Sequence, residues 1–301
     1  MKISATTGRL FEILGADGAF KMLSEAGFDA VDFSFDVDSK LWNVARGESS
    51  LFCLSQEQLV EHYRPYKQAA DKYGVSIYQA HAPFPSYFHG NESASAAAVE
   101  FIKKCFPILK MMDCKYLVCH PCFAGYDNRL EKESEIKLNL NFYSSLIPLA
   151  KEYGVTVCLE NMFTGSRGKI YEAICQEPDE VIMYVDTLNE KAGEKRFAFC
   201  YDTGHALLLG RDQYQTIKRI GNRIELLHVH DNDGWEDRHV TPYMGILDWD
   251  RFVMGLKAIG YKGVINLENS NIPNLYPREL LSSAFRHAAD CAKYLAARVE
   301  G

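Results

Sequence analysis

Residues 141–161 read NFYSSLIPLAKEYGVTVCLEN. The first part carries apolar residues at helical spacing and stops at Gly154, a residue that adopts a left-handed helix end at little cost. The remainder, VTVCLEN, is almost continuously apolar up to Glu160. That is the pattern of a strand buried on both faces of a parallel sheet. Helix, glycine, buried strand and terminal carboxylate follow one another without a break.

Working outward, the same unit recurs along the chain. Strands are predicted at 2–7, 30–35, 75–81, 115–120, 155–161, 197–203, 224–230 and 263–269. Helical patterns fill 18–28, 55–74, 95–114, 141–154, 179–189, 213–222, 248–261 and 277–300. Glycines at 27, 74, 154, 221 and 260 stand where helices should stop. Ser55 with Gln58 reads as a capping box, and Asp248 as an N-cap. Pro107 and Pro148 interrupt helical patterns and mark kinks or displaced helix starts. Eight strands alternating with eight helices, with no linker or low-complexity break, predict a single (β/α)8 barrel over 1–301. A doubly wound eight-stranded sheet is the alternative with the same periodicity.

Composition narrows the function class. Of 301 residues, 47% are hydrophobic and 12% aromatic, enough to bury a large core. A formal charge of −7 argues against a general nucleic-acid binder, which needs clustered Lys and Arg. The nine cysteines are scattered, mostly in apolar runs, as expected of reduced thiols in a cytoplasmic protein. The Cys119–Cys122 pair has no thioredoxin-like surroundings. MKISATTGRL enters the first strand without an apolar signal region. No run approaches the ~20 apolar residues that span a bilayer, so no membrane association is expected.

The chemistry-bearing residues gather at the strand ends. The third strand ends in His81, the fourth in His120, the fifth in Glu160 and the sixth in Asp202, with His205 close behind. The seventh delivers His228 within HVHDNDGWEDRH (228–239), which also holds His230, Asp231, Asp237, Arg238 and His239; the eighth ends in Glu268. Taken singly, each has a plain reading: Asp202 alone is a helix cap, and an isolated His81 or His120 is a satisfied loop residue. Six consecutive strands ending in a carboxylate or imidazole are hard to explain as six separate caps. In a barrel these ends converge on one face. Buried carboxylates need a compensating charge, and imidazole with carboxylate suits Mn, Co, Fe or Zn.

With HAPF, CHP, LEN, YDTGH, H-x-x-D, DRH and a second LEN in place, the chain resembles the xylose isomerase-like barrels. That superfamily includes sugar isomerases, ketose 3-epimerases, inosose dehydratases and endonuclease IV. The resemblance to the sugar branch implies one divalent ion (Mn, Co, Mg or Zn) held by Glu160, Asp202, His228 and Glu268. It also implies a metal-stabilised enediolate, with Glu160 and Glu268 as the acid–base pair and His205, His230 and Arg238 contacting a small carbohydrate substrate. Arg167 and Lys169 are further cations that could meet a sugar phosphate or carboxylate. The resemblance to endonuclease IV implies up to three zinc ions, with His81, His120, His205, Asp237 and His239 as additional ligands, acting at abasic DNA. The sugar branch is preferred, because no loop reads as a basic DNA-tracking segment. A sugar-binding barrel without turnover is a third class, and a homo-oligomer is compatible with all three.

Overall fold

In the computed structural model, which describes Met1–Gly301, each predicted strand forms inside its predicted range. They are β1 (Ile3–Thr6), β2 (Ala30–Ser34), β3 (Ser76–His81), β4 (Tyr116–Val118), β5 (Thr156–Glu160), β6 (Phe197–Asp202), β7 (Ile224–His228) and β8 (Ile265–Leu267). They lie in the order β8-β1-β2-β3-β4-β5-β6-β7, nearly closed into a (β/α)8 barrel with helices between them. A parallel bridge between Val229 and Leu267 joins the two ends of that order. The doubly wound alternative is thereby excluded, because its sheet keeps two free edges.

By its internal contacts the chain divides into two compact units. The first comprises Met1–Phe33, Pro65–Tyr78 and Cys200–Gly301; the second comprises Ser34–Arg64 and Gln79–Phe199. In the first, Ile3 pairs with Ile265 and Ser4 with Ala30 in parallel register. With Val229 opposite Leu267, His230 stands level with Glu268. In the second, Ala80 pairs with Leu117 and Val118 with Cys158. Extending that register by two residues sets His120 level with Glu160. The strands are buried throughout their length, apart from a few positions at the ends of β2, β3, β4 and β5, Tyr78 within β3 and Glu225 in β7, as two covered faces require.

Helix ends follow the local rules. Ser55 N–H donates to Gln58 Oε1 (3.0 Å) and Gln58 N–H to Ser55 Oγ (3.3 Å), completing the capping box. Asp248 accepts from Arg251 N–H at 3.1 Å. Pro148 opens a new short helix, Ile147–Tyr153, whereas Pro107 lies inside the continuous helix Glu92–Met111. One element was not expected. Phe163–Ser166 and Lys169–Glu172 form an antiparallel hairpin, turned by Arg167 and Gly168 with φ of 53° and 73°. Two positive φ values suit a tight hairpin, but arginine is an unusual first turn residue and hides the signal. No helix is long and apolar enough to cross a membrane. Replacing Asp248 by Ala removes one cap and is expected to cost about 1 kcal/mol, read as a lower urea midpoint with the slope unchanged.

Candidate active site

In the second unit, β3, β4 and β5 bring three of the predicted residues together. His81 Nδ1–H donates to the Ala82 carbonyl (2.8 Å), which leaves the lone pair on Nε2. That nitrogen lies 2.9 Å from His120 Nε2, which is itself 3.1 Å from Glu160 Oε2. Glu160 is fully buried. His120 Nδ1 is buried without a hydrogen-bond partner. One donor atom from each residue falls within 4.8 Å of the others, so the three could hold a metal ion.

In the first unit, Asp202 does two things. Its Oδ1 accepts from His205 N–H at 2.6 Å, capping the helix Thr203–Leu208. Its two oxygens also lie 3.2 and 3.1 Å from His230 Nε2. Burial disfavours the His230 imidazolium, but Asp202 outweighs it and holds the ring above its ordinary pKa. His230 stacks on His239, with ring centroids 4.2 Å apart. A Cβ on Gly204 would come within 1.9 Å of His230 Cε1, so only glycine admits the ring there.

The loop after β7 supplies the rest. Asp237 Oδ2 lies 2.8 Å from His239 Nε2 and 3.3 Å from His205 Nε2. Burial works against the Asp237 carboxylate, yet the His205 and His239 contacts hold its pKa below the usual range. His205, His230, Asp237 and His239 form a second group able to hold a metal. Asp231 organises this loop, accepting from Tyr243 N–H (3.1 Å), Leu247 N–H (3.1 Å) and Trp249 Nε1–H (3.2 Å). Asp233 accepts from Trp235 and Glu236 N–H and forms the turn. Arg238 is half-exposed, its guanidinium 3.0 Å from Asp233 and 3.4 Å from Glu236. Arg167 is exposed and paired with Asp127 at 3.7 Å.

Asp32 was missed by the sequence reading. It is fully buried on β2, and its Oδ2 lies 2.9 Å from His228 Nε2 and 3.2 Å from Asn266 Nδ2. The only signal was a charge in the middle of an apolar strand, AVDFSF. His228 thus lies between two carboxylates, its Nε2 facing Asp32 and its Nδ1 3.3 Å from Glu268 Oε2. His239 Nδ1–H donates to the Glu268 carbonyl (3.1 Å), and its Nε2 lies 2.8 Å from Asp237 Oδ2. Carboxylates and imidazoles gathered with donor atoms within 4.8 Å of one another fit a divalent ion.

Residues 20–290 match the family model described as xylose isomerase-like TIM barrel. An uncharacterised protein of Methanocaldococcus jannaschii is 32% identical over 212 residues, 67% of this chain and 67% of the relative. The inosose isomerase of Bacillus licheniformis is 25% identical over 185 residues, 59% of this chain and 62% of the relative. Among solved structures, a D-tagatose 3-epimerase-like protein aligns over 100% of this chain and 98% of its own, with TM-score 0.74 and 23% identity.

Removing the acceptor beneath His228 tests its place in the centre. Asp32→Asn is expected to weaken Mn2+ binding about 10- to 100-fold, measured by competition with a chromogenic chelator. Unchanged affinity would separate Asp32 from the metal-binding residues.

Proposed function

The chain belongs to the xylose isomerase-like TIM-barrel family, and from that premise we propose that it is a divalent-metal-dependent sugar isomerase or epimerase. The observation that carries the reading is the crowding of carboxylates around imidazoles at the strand ends. Asp32 Oδ2 and Glu268 Oε2 lie 2.9 and 3.3 Å from the two ring nitrogens of the buried His228, and Asp237 Oδ2 lies 2.8 Å from His239 Nε2. Such a site asks for a cation, and the inosose isomerase likeness supports a carbohydrate substrate.

The proposed ligands are Glu160, Asp202, His228 and Glu268. The ion, when bound, would supply Lewis-acid stabilisation of charge on the substrate's carbonyl oxygen. The chain's own groups would handle the proton. Glu160 takes it from the carbon beside the carbonyl, and the electron pair of that C–H bond moves onto the oxygen to give an enediolate. Glu268 returns a proton to carbon, on the opposite face in an epimerisation. The contact with His120 orients the Glu160 carboxylate. Glu268 keeps 14% of its side chain exposed, whereas Glu160 is fully buried. His205 is assigned to a substrate oxygen. His230, fully buried on Asp202, supports that carboxylate. Arg238, held by Asp233 and Glu236, would have to leave them to reach substrate.

A panel of ketoses and inososes in deuterated water tests the pair. Glu160→Gln and Glu268→Gln should each lower solvent exchange at least about 100-fold, read by NMR; wild-type exchange in both variants would sink the assignment.

A second reading is kept because His81, His120, His205, Asp237 and His239 add donor groups that one ion does not require. It is a trinuclear zinc phosphodiesterase acting at abasic DNA. Three zinc ions per chain by elemental analysis, with nicking of an abasic duplex, would favour it; one exchangeable ion and no nicking would favour the sugar reaction.

A further inference from the structure

Beside His120 and Glu160, within the second unit, the loops after β2, β3, β4 and β5 enclose a cavity of about 480 Å3. Its wall includes Trp42, Phe84, Phe88, Phe123, Met162 and Phe163. No residue lining it is Asp, Glu, Lys or Arg. Trp42 is 57% exposed and Phe84 36% exposed, large apolar surface turned toward a concavity. The wall is built rather than collapsed. The Trp42 ring meets Phe88 edge-on at 5.1 Å, and the Phe84 ring lies 4.9 Å from that of His120. Phe84 N–H donates to Asp36 at 3.1 Å, which fixes the loop from beneath. Two of the polar lining side chains are already engaged. Ser86 Oγ donates to the His120 carbonyl at 2.7 Å, and Asn91 Oδ1 accepts from Ala94 N–H at 3.0 Å as a helix cap.

The chemistry of this wall selects among carbohydrates. A phosphate group needs Arg, Lys or a convergent set of backbone N–H groups, and the wall has neither Arg nor Lys, its one imidazole being His89. A free sugar carries a hydroxyl on nearly every carbon, and each hydroxyl buried against apolar rings without a partner is costly. An aromatic or apolar substituent pays no such cost and gains from ring packing. We infer that this cavity is the subsite for an uncharged, aryl- or alkyl-bearing substituent, so that the substrate class is a substituted, unphosphorylated sugar. This rests on the sugar isomerase or epimerase reading. It adds that the polar end lies at His120 and Glu160 and the apolar end against Trp42, Phe84 and Phe163.

Matched phenyl and methyl glycosides of glucose, galactose and mannose, with glucose 6-phosphate, are titrated into the full-length protein by calorimetry. In at least one pair the phenyl compound should bind about tenfold more tightly. Trp42→Ala and Phe163→Ala should shrink that gap to about twofold while leaving methyl glycoside affinity unchanged. Equal affinity or no binding in every pair, a gap untouched by both substitutions, or tighter binding of the phosphate would each overturn the proposal. Solvent exchange is read separately, which keeps the two failures apart. A phenyl preference without exchange on any sugar removes the proton-transfer reading and leaves the pocket. Exchange without a phenyl preference does the reverse.

Discussion

The Asp32 carboxylate is wholly out of water, and a charge in that position persists only with donors on its oxygens. His228 Nε2–H and Asn266 Nδ2–H provide them. Within the first unit that contact ties β2 to β7 and β8. On the other side of the same ring, Nδ1 lies 3.3 Å from the Glu268 carboxylate. Two acids therefore share one buried imidazole, an arrangement that positive charge stabilises.

The barrel supplies these contacts through register rather than through any single loop. Parallel pairing sets His230 level with Glu268 and His120 level with Glu160, so residues distant in the chain reach the same height. Asp202 shows how one carboxylate can serve as both helix cap and site residue. Its Oδ1 ends the first turn of the following helix, and both oxygens face His230. The plain reading of Asp202 as a cap holds, and the same carboxylate also faces a buried imidazole. Gly204 is required for a matching reason, since any side chain there would collide with the His230 ring.

In the second unit the polar and apolar parts of the site adjoin. Three donor groups at the strand ends give way to an aromatic wall made by the loops beyond them. The burial that makes Glu160 an unusual carboxylate also silences the nearby thiols. Burial pushes Cys119 up to about 12 and Cys122 well above its ordinary value. Neither thiol has the thiolate character that redox chemistry needs.

The sequence by itself determined the eight strands, the glycine stops, the caps at Ser55 and Asp248, and the acids and imidazoles at the strand ends. Those are local signals: an apolar run must be buried, and the polar residue that ends it marks where burial stops. The tertiary structure alone decided which groups the nitrogens of each histidine face. It also decided that a buried Asp32 lies beneath His228 and that Asp231 organises a loop. A charge within a five-residue strand does not say which face it takes or what lies opposite, because its partners are 196 and 234 residues away. The aromatic wall was hidden for the same reason: its rings come from loops after four different strands, and only the closed order of those strands places them around one cavity.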